Sequence, residues 1–172
     1  MSSPPKPHNS GHRLLESSAR GVVAGLAGSV VQAGVGHLVD RALLPRAHNN
    51  NIAPRLSARL FQRSGHAPHP VRDWLLGTLF HEFYGAGWGV IHALAADGLR
   101  VPAPVLAPAV SMLIYLVAFS SFGAGTLTGV ERHPDRRDPR KQRSLIVVTA
   151  TFGIATGLFL YGLEHRGHTQ QS

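Results

Sequence analysis

Four stretches of this chain are apolar for about 20 residues or more, the length a helix needs to cross a hydrocarbon core of roughly 30 Å. They are 21–40 (GVVAGLAGSVVQAGVGHLVD), 74–96 (WLLGTLFHEFYGAGWGVIHALAA), 105–130 (VLAPAVSMLIYLVAFSSFGAGTLTGV) and 144–163 (SLIVVTATFGIATGLFLYGL). The second, third and fourth read clearly as spans, while Gln32 and His37 interrupt the first. No short A-x-A-like site follows a compact apolar core, so the first run also reads as a span. A soluble bundle would need polar outer faces that these runs do not offer. The expectation is an all-α, polytopic membrane protein with four transmembrane helices in a bundle.

Composition supports this reading. Charged residues make up 15% of the chain, against about 25% in an average soluble domain. With no cysteine, disulfides and thiolate metal sites are excluded. The net charge of +8 comes mainly from arginine, with lysine only at Lys6 and Lys141. Nucleic-acid binding would need a basic face on a soluble fold. Here the arginines fall between the apolar runs, the pattern of a membrane protein. The expected partner is therefore the lipid bilayer, and no nucleic acid.

The remaining segments are read around the 21–165 transmembrane domain. Residues 1–20, rich in Pro, Ser and His, read as a disordered tail, and 166–172 as a C-terminal tail. Between the first two spans, IAPRLSARLFQR sets Ile52, Leu56 and Leu60 on one helical face, with Arg55, Arg59 and Arg63 as a parallel stripe. Pro54 suits a first helical turn. A short amphipathic helix over 52–64, with its arginines on lipid headgroups, fits this pattern. The loops 41–73 and 131–143 carry twelve of the Lys and Arg residues, and the other hydrophilic segments carry five. The positive-inside rule places both loops in the cytoplasm of a cell bounded by this membrane.

Glycines offer a packing code. Gly21/Gly25, Gly85/Gly89, Gly125/Gly129 and Gly153/Gly157 each repeat at i, i+4. That spacing bares one helical face to close approach by a neighbouring backbone. Tyr84-Gly-Ala-Gly-Trp-Gly89 and Phe152-Gly-Ile-Ala-Thr-Gly157 share an aromatic-Gly-x-small-x-Gly pattern, which points to two helical hairpins of one design.

The polar residues inside the spans are the candidate site: His81, Glu82, His92, Gln32 and His37. His81 and His92 share a face at about 100° per residue but lie about 16.5 Å apart along the axis, too far to hold one metal ion. A deep carboxylate such as Glu82 costs several kcal/mol if left charged and unpaired. It is therefore read either as bonded to Gln32, Thr149 or Thr151, or as a proton or cation site. Asp40, Asp73 and Asp97 lie at span ends and read as solvated. No nucleophile-and-base arrangement, phosphate loop, or H-E-x-x-H or C-x-x-C-H motif occurs, so no enzyme, metal or cofactor is expected.

Gly21–Leu26 (GVVAGL), then Leu43-Leu-Pro-Arg46 and Pro54, resemble the first helix of the YagU-like small bacterial inner-membrane proteins. The order His81, Tyr84, Trp88, His92, Asp97 is similar to that family's second helix. Glu82 stands where the family has an apolar residue. The resemblance implies a polytopic protein of the bacterial inner membrane and no mechanism, because the family's biochemical function is unknown. Three functions follow as expectations. The first is a non-enzymatic accessory protein that associates with itself or another membrane protein through its glycine faces. The second is a proton- or cation-coupled transporter or pore using Glu82, and the third is a haem or metal binder using His92 or His37.

Overall fold

A computed structural model describes residues 10–44 and 52–169 of the chain. The fold is all-α. Helix α1 spans Ser10–Leu43, α2 Ile52–Arg63, α3 Pro70–Leu99, α4 Ala103–Phe119, α5 Ala124–Leu127 and α6 Pro139–Thr169, with a 3-10 turn at Pro134–Arg136 before the last.

The helix ends follow local chemistry. At the start of α3, His69 Nδ1 accepts from the Arg72 amide at 3.2 Å, and the Asp73 carboxylate accepts from the His69 amide at 3.0 Å. This is the reciprocal geometry of a capping box, with Pro70 at the first helical position. Asp73 also pairs with Arg72 at 3.0 Å and is buried, so it is not the solvated residue expected. The far end closes with Arg100 in the left-handed region (φ 54) and Val101 bonding back to Ala96, a Schellman-type stop before Pro102. Asp138 starts α6 by accepting from the Arg140 amide at 2.8 Å.

Three helical segments are long and apolar enough to cross a membrane: Gly11–Leu43, Ala103–Leu127 (α4 together with α5) and Pro139–His165. The 21–40 run is among them despite Gln32 and His37. Helix α3 has the length but not the apolarity, because His81, Glu82 and His92 dilute it. Many of its large side chains still face outward, as Phe83 and Ile91 do. So do Leu113 and Val117 on α4, and Val147, Ile154 and Leu158 on α6. In water such a surface would be a liability; in lipid it is the required one.

Two boundaries differ from expectation. Residues 10–20 are helical and not a loose tail, because Ser17 and Arg20 are tied to Asp97. Residues 1–9 and 170–172 of the expected tails lie outside the described residues, as do Pro45 and Arg46 of the family-like Leu-Leu-Pro-Arg exit. The 105–130 run is not one helix. It breaks at Ser120 and turns through Gly123, where an added Cβ would lie 2.7 Å from the Phe119 nitrogen. Gly125 then sits in the short α5, and Gly129 occupies a left-handed turn (φ 69). That pair therefore presents no helical face.

The other glycine pairs lie at helix crossings. A Cβ on Gly21 would fall 2.6 Å from Val90 Cα, and one on Gly25 would meet the backbone of Gly85 and Ala86. On α3, Gly89 meets Gly21 and Gly25 in return. These contacts run α1 antiparallel to α3. Gly153 lies against Ala107 and Ser111, and Gly157 against Ala103 and Pro104, so α4 runs antiparallel to α6. Gly28 against Thr156, Gly36 against Val148, and Asp40 bonded to Ser144 join α1 to α6. The contact order is thus α3–α1–α6–α4, and α3 meets α4 only lightly. Trp88, Val110, Ile114 and Phe152 form an apolar cluster where α3, α4 and α6 converge.

Candidate functional site

Where α3 and α4 stay apart, a cleft of about 870 Å³ remains, reached by residues of all six helices. It occupies the half of the molecule that holds the end of α1 and the starts of α3 and α6. Trp88, Ile114 and Phe152 bring the apolar cluster to its wall. Gln32, His37, His81 and Glu82 all line it, so four of the five polar residues picked from the sequence meet in one space.

On α3, His81 separates two different walls. The i, i+4, i+8 row Phe80, Tyr84, Trp88 flanks it on one side, and Glu82 lies about 100° away on the other. Phe80 and Tyr84 stack with ring centroids 5.9 Å apart, and Tyr84 meets Trp88 edge-on at 6.1 Å. The Tyr84 hydroxyl is sealed from solvent and approaches only the Trp88 indole, without the geometry of a full hydrogen bond. His81 lies beside the Ser29 carbonyl and close to Glu82. Thr149 and Thr151 do not reach Glu82: their hydroxyls bond Leu145 O at 2.7 Å and Val147 O at 2.9 Å on their own helix. Glu82 makes no hydrogen bond or ion pair with any described side chain. A carboxylate lining a cleft without a protein partner is open to a cation or to water.

The mouth of the cleft is charged. Asp40 accepts from the Ser144 hydroxyl at 2.5 Å and, with Glu131, faces the Lys141 ammonium. Glu131, nearly fully buried, pairs with Arg55 of α2 at 3.5 Å. Arg55 also donates to Val130 O at 2.7 Å, and Arg59 donates to Thr128 O at 3.3 Å. These two arginines hold α2 to the loop after α5, so the expected stripe of headgroup ligands keeps only Arg63 uncommitted among the described contacts. Ile52, Ala53 and Leu56 of α2 face the cleft, and Gly77 of α3 receives the α2 backbone at Ala53 and Pro54. Arg137 braces the turn by donating to Phe119 O at 3.1 Å and Arg132 O at 2.9 Å.

His92 stands apart from this site. It is fully buried and its Nε2 donates to Ala103 O at 2.8 Å. A carbonyl only accepts, so the proton sits on Nε2 and Nδ1 is left without a partner. His92 thus stitches α3 to the start of α4, in the half of the molecule remote from His37, and the two cannot bracket one haem. At this same end Arg20 pairs with Asp97 at 3.1 Å and Glu164 at 3.7 Å, while His165 bonds Tyr161 O at 2.8 Å. Among the described residues no three His, Asp or Glu side chains gather to hold a metal ion.

Sequence reasoning missed Asp40, Glu131, Lys141 and Ser144 at the mouth. One signal was available for Asp40, which continues the four-residue ridge Gly28, Gln32, Gly36 that packs on α6. No protein-family model matches the chain, and neither a curated protein nor a solved structure is similar to it.

Proposed function

We propose that the chain is a non-enzymatic, multi-pass protein of a bacterial inner membrane that crosses the bilayer four times and carries a proton- or cation-binding site at Glu82, with His81 beside it, coupled to passage of a solute or ion. One observation carries this reading: Gln32, His37, His81 and Glu82 line a single cleft in which Glu82 has no protein cation. Intramembrane carboxylates facing a cavity are costly and typically serve proton or ion paths. The kinship with the YagU-like family belongs to the same proposal and contributes the membrane, not the chemistry.

Association through glycine faces is the competing reading. It is less well supported, because Gly21, Gly25, Gly85, Gly89, Gly153 and Gly157 all abut neighbouring helices of the same chain. Binding to itself or another membrane protein would fall instead to the outward apolar surface.

The test is flux in proteoliposomes. The wild-type chain is expected to carry a pH-dependent proton or cation current, and Glu82→Gln to abolish it while keeping the wild-type unfolding temperature. A current that survives Glu82→Gln unchanged would sink the reading.

A further inference from the structure

We infer that the cleft takes a lipophilic organic cation, with the positive centre at Glu82 and the apolar body along Phe80, Tyr84 and Trp88. The inference rests on the reading of this cleft as the working site and names the class of its occupant. Three features point the same way.

The first is the wall. Phe80, Tyr84 and Trp88 form a continuous aromatic row on α3, and Phe119 and Phe152 enter from α4 and α6. Aromatic faces carry negative potential and attract cations, more strongly where water is excluded. The second is charge. The cleft's cations are Lys141 and Arg41 at the mouth; Lys141 already faces Asp40 and Glu131, and Arg41 is exposed. Among the described residues the carboxylate is the one fixed charge at the level of His81 and Glu82, so the deep part of the cleft favours a cation. The third is size and polarity. About 870 Å³ is within the range of small-molecule sites, far more than a bare proton or metal ion needs. Beyond Glu82 the deep wall offers His81 and Gln32, while the Tyr84 hydroxyl is sealed away and those of Thr78 and Thr149 are bonded within their own helices, too few free groups to replace the water shell of a strongly hydrated solute. A cation with its charge spread over apolar groups loses little hydration on entry and gains both walls.

The probe is tetraphenylphosphonium, titrated into the full chain in detergent. Trp74, exposed on α3, is replaced by Phe so that emission reports Trp88 alone. Saturable quenching is expected, about tenfold weaker in affinity for Glu82→Gln and restored in Glu82→Asp. The neutral analogue triphenylphosphine oxide should bind far more weakly. Equal binding of the neutral analogue would mean that the cleft takes any apolar body, a lipid chain included, and would overturn the inference. So would unchanged affinity in Glu82→Gln, or no saturable binding. If Glu82→Gln does not fold, the charged-against-neutral comparison on the wild-type chain decides. Loss of proton flux in Glu82→Gln without tetraphenylphosphonium binding overturns this inference and leaves the cation-site reading standing.

Discussion

Gly25 shows how little room single residues leave in this molecule. A methyl group there would enter the space of the Gly85 carbonyl and lie 3.0 Å from Ala86 Cα. Backbone cannot yield as a side-chain tip can, so α1 and α3 would have to part. Overpacking of this kind costs about 1–3 kcal/mol. Gly34 and Gly87, also helical, have nothing within 4 Å of an added Cβ, and there Ala should gain up to about 1 kcal/mol from helix propensity. Gly25→Ala and Gly89→Ala are therefore expected to lower the unfolding temperature in detergent, with Gly34→Ala and Gly87→Ala neutral or slightly stabilising. Equal destabilisation by all four would mean that close backbone approach does not hold this pair of helices. His92 makes a second residue-scale case. Its Nε2–H is the side-chain bond from α3 to the start of α4. His92→Phe keeps the volume but removes this tie between the helices, at a cost of about 1 kcal/mol, again read as a lower unfolding temperature.

Helix α2 is the element whose partners the sequence hid. Ile52, Leu56 and Leu60 with an arginine stripe told of an amphipathic helix, and Ile52–Arg63 is one. Periodicity reports a face, however, and cannot say what meets it. Arg55 and Arg59 turned out to meet carbonyls of the Thr128–Val130 loop, some seventy residues onward, and no local pattern encodes a contact at that separation. The break in the 105–130 run was missed although it carries a signal: Ser120-Ser-Phe-Gly123 is a turn pattern set inside a strongly apolar stretch that masked it. The attachment of α2 can be tested directly. Arg55→Ala removes the bond to Val130 and leaves buried Glu131 without its ion-pair partner, facing Lys141. Amide exchange over 52–63 should then speed up about tenfold or more, with 85–96 unchanged. Arg59→Ala removes one long, exposed bond and should do much less. If neither substitution alters exchange, α2 is held by Gly77 and its apolar face alone.

At the scale of the whole molecule, the decisive question is what α3 does in the bilayer. By hydropathy it is the weakest of the long helices, since His81, Glu82 and His92 sit within it. Packing says otherwise. The contacts of α3 with α1 run from Gly85 and Ser29 to Asp97 and Ser17, so any layer that covers this part of α1 covers α3 from Gly85 to Asp97. At 1.5 Å per residue its 30 residues extend about 45 Å. Its polar groups are turned inward, His92 to Ala103 and His81 and Glu82 to the cleft, which is why a scale that sums residues without regard to face undervalues it. The same antiparallel contacts put the end of α1, helix α2 and the 131–138 loop at one end of the molecule, and the Leu99–Val101 turn at the other. The basic loops share the first end, which the positive-inside rule assigns to the cytoplasm. The chain has no cysteine, so single introduced thiols report sidedness without background. His66→Cys and Asp135→Cys should react with an impermeant maleimide only after cells are opened, and Gly98→Cys in intact cells. Reaction of positions 66 and 98 from the same side would mean that α3 does not cross, and with it the four-span bundle and the intramembrane placement of Glu82 would fall. Reaction from opposite sides in the reverse sense would keep the bundle and invert it, turning the mouth of the cleft outward.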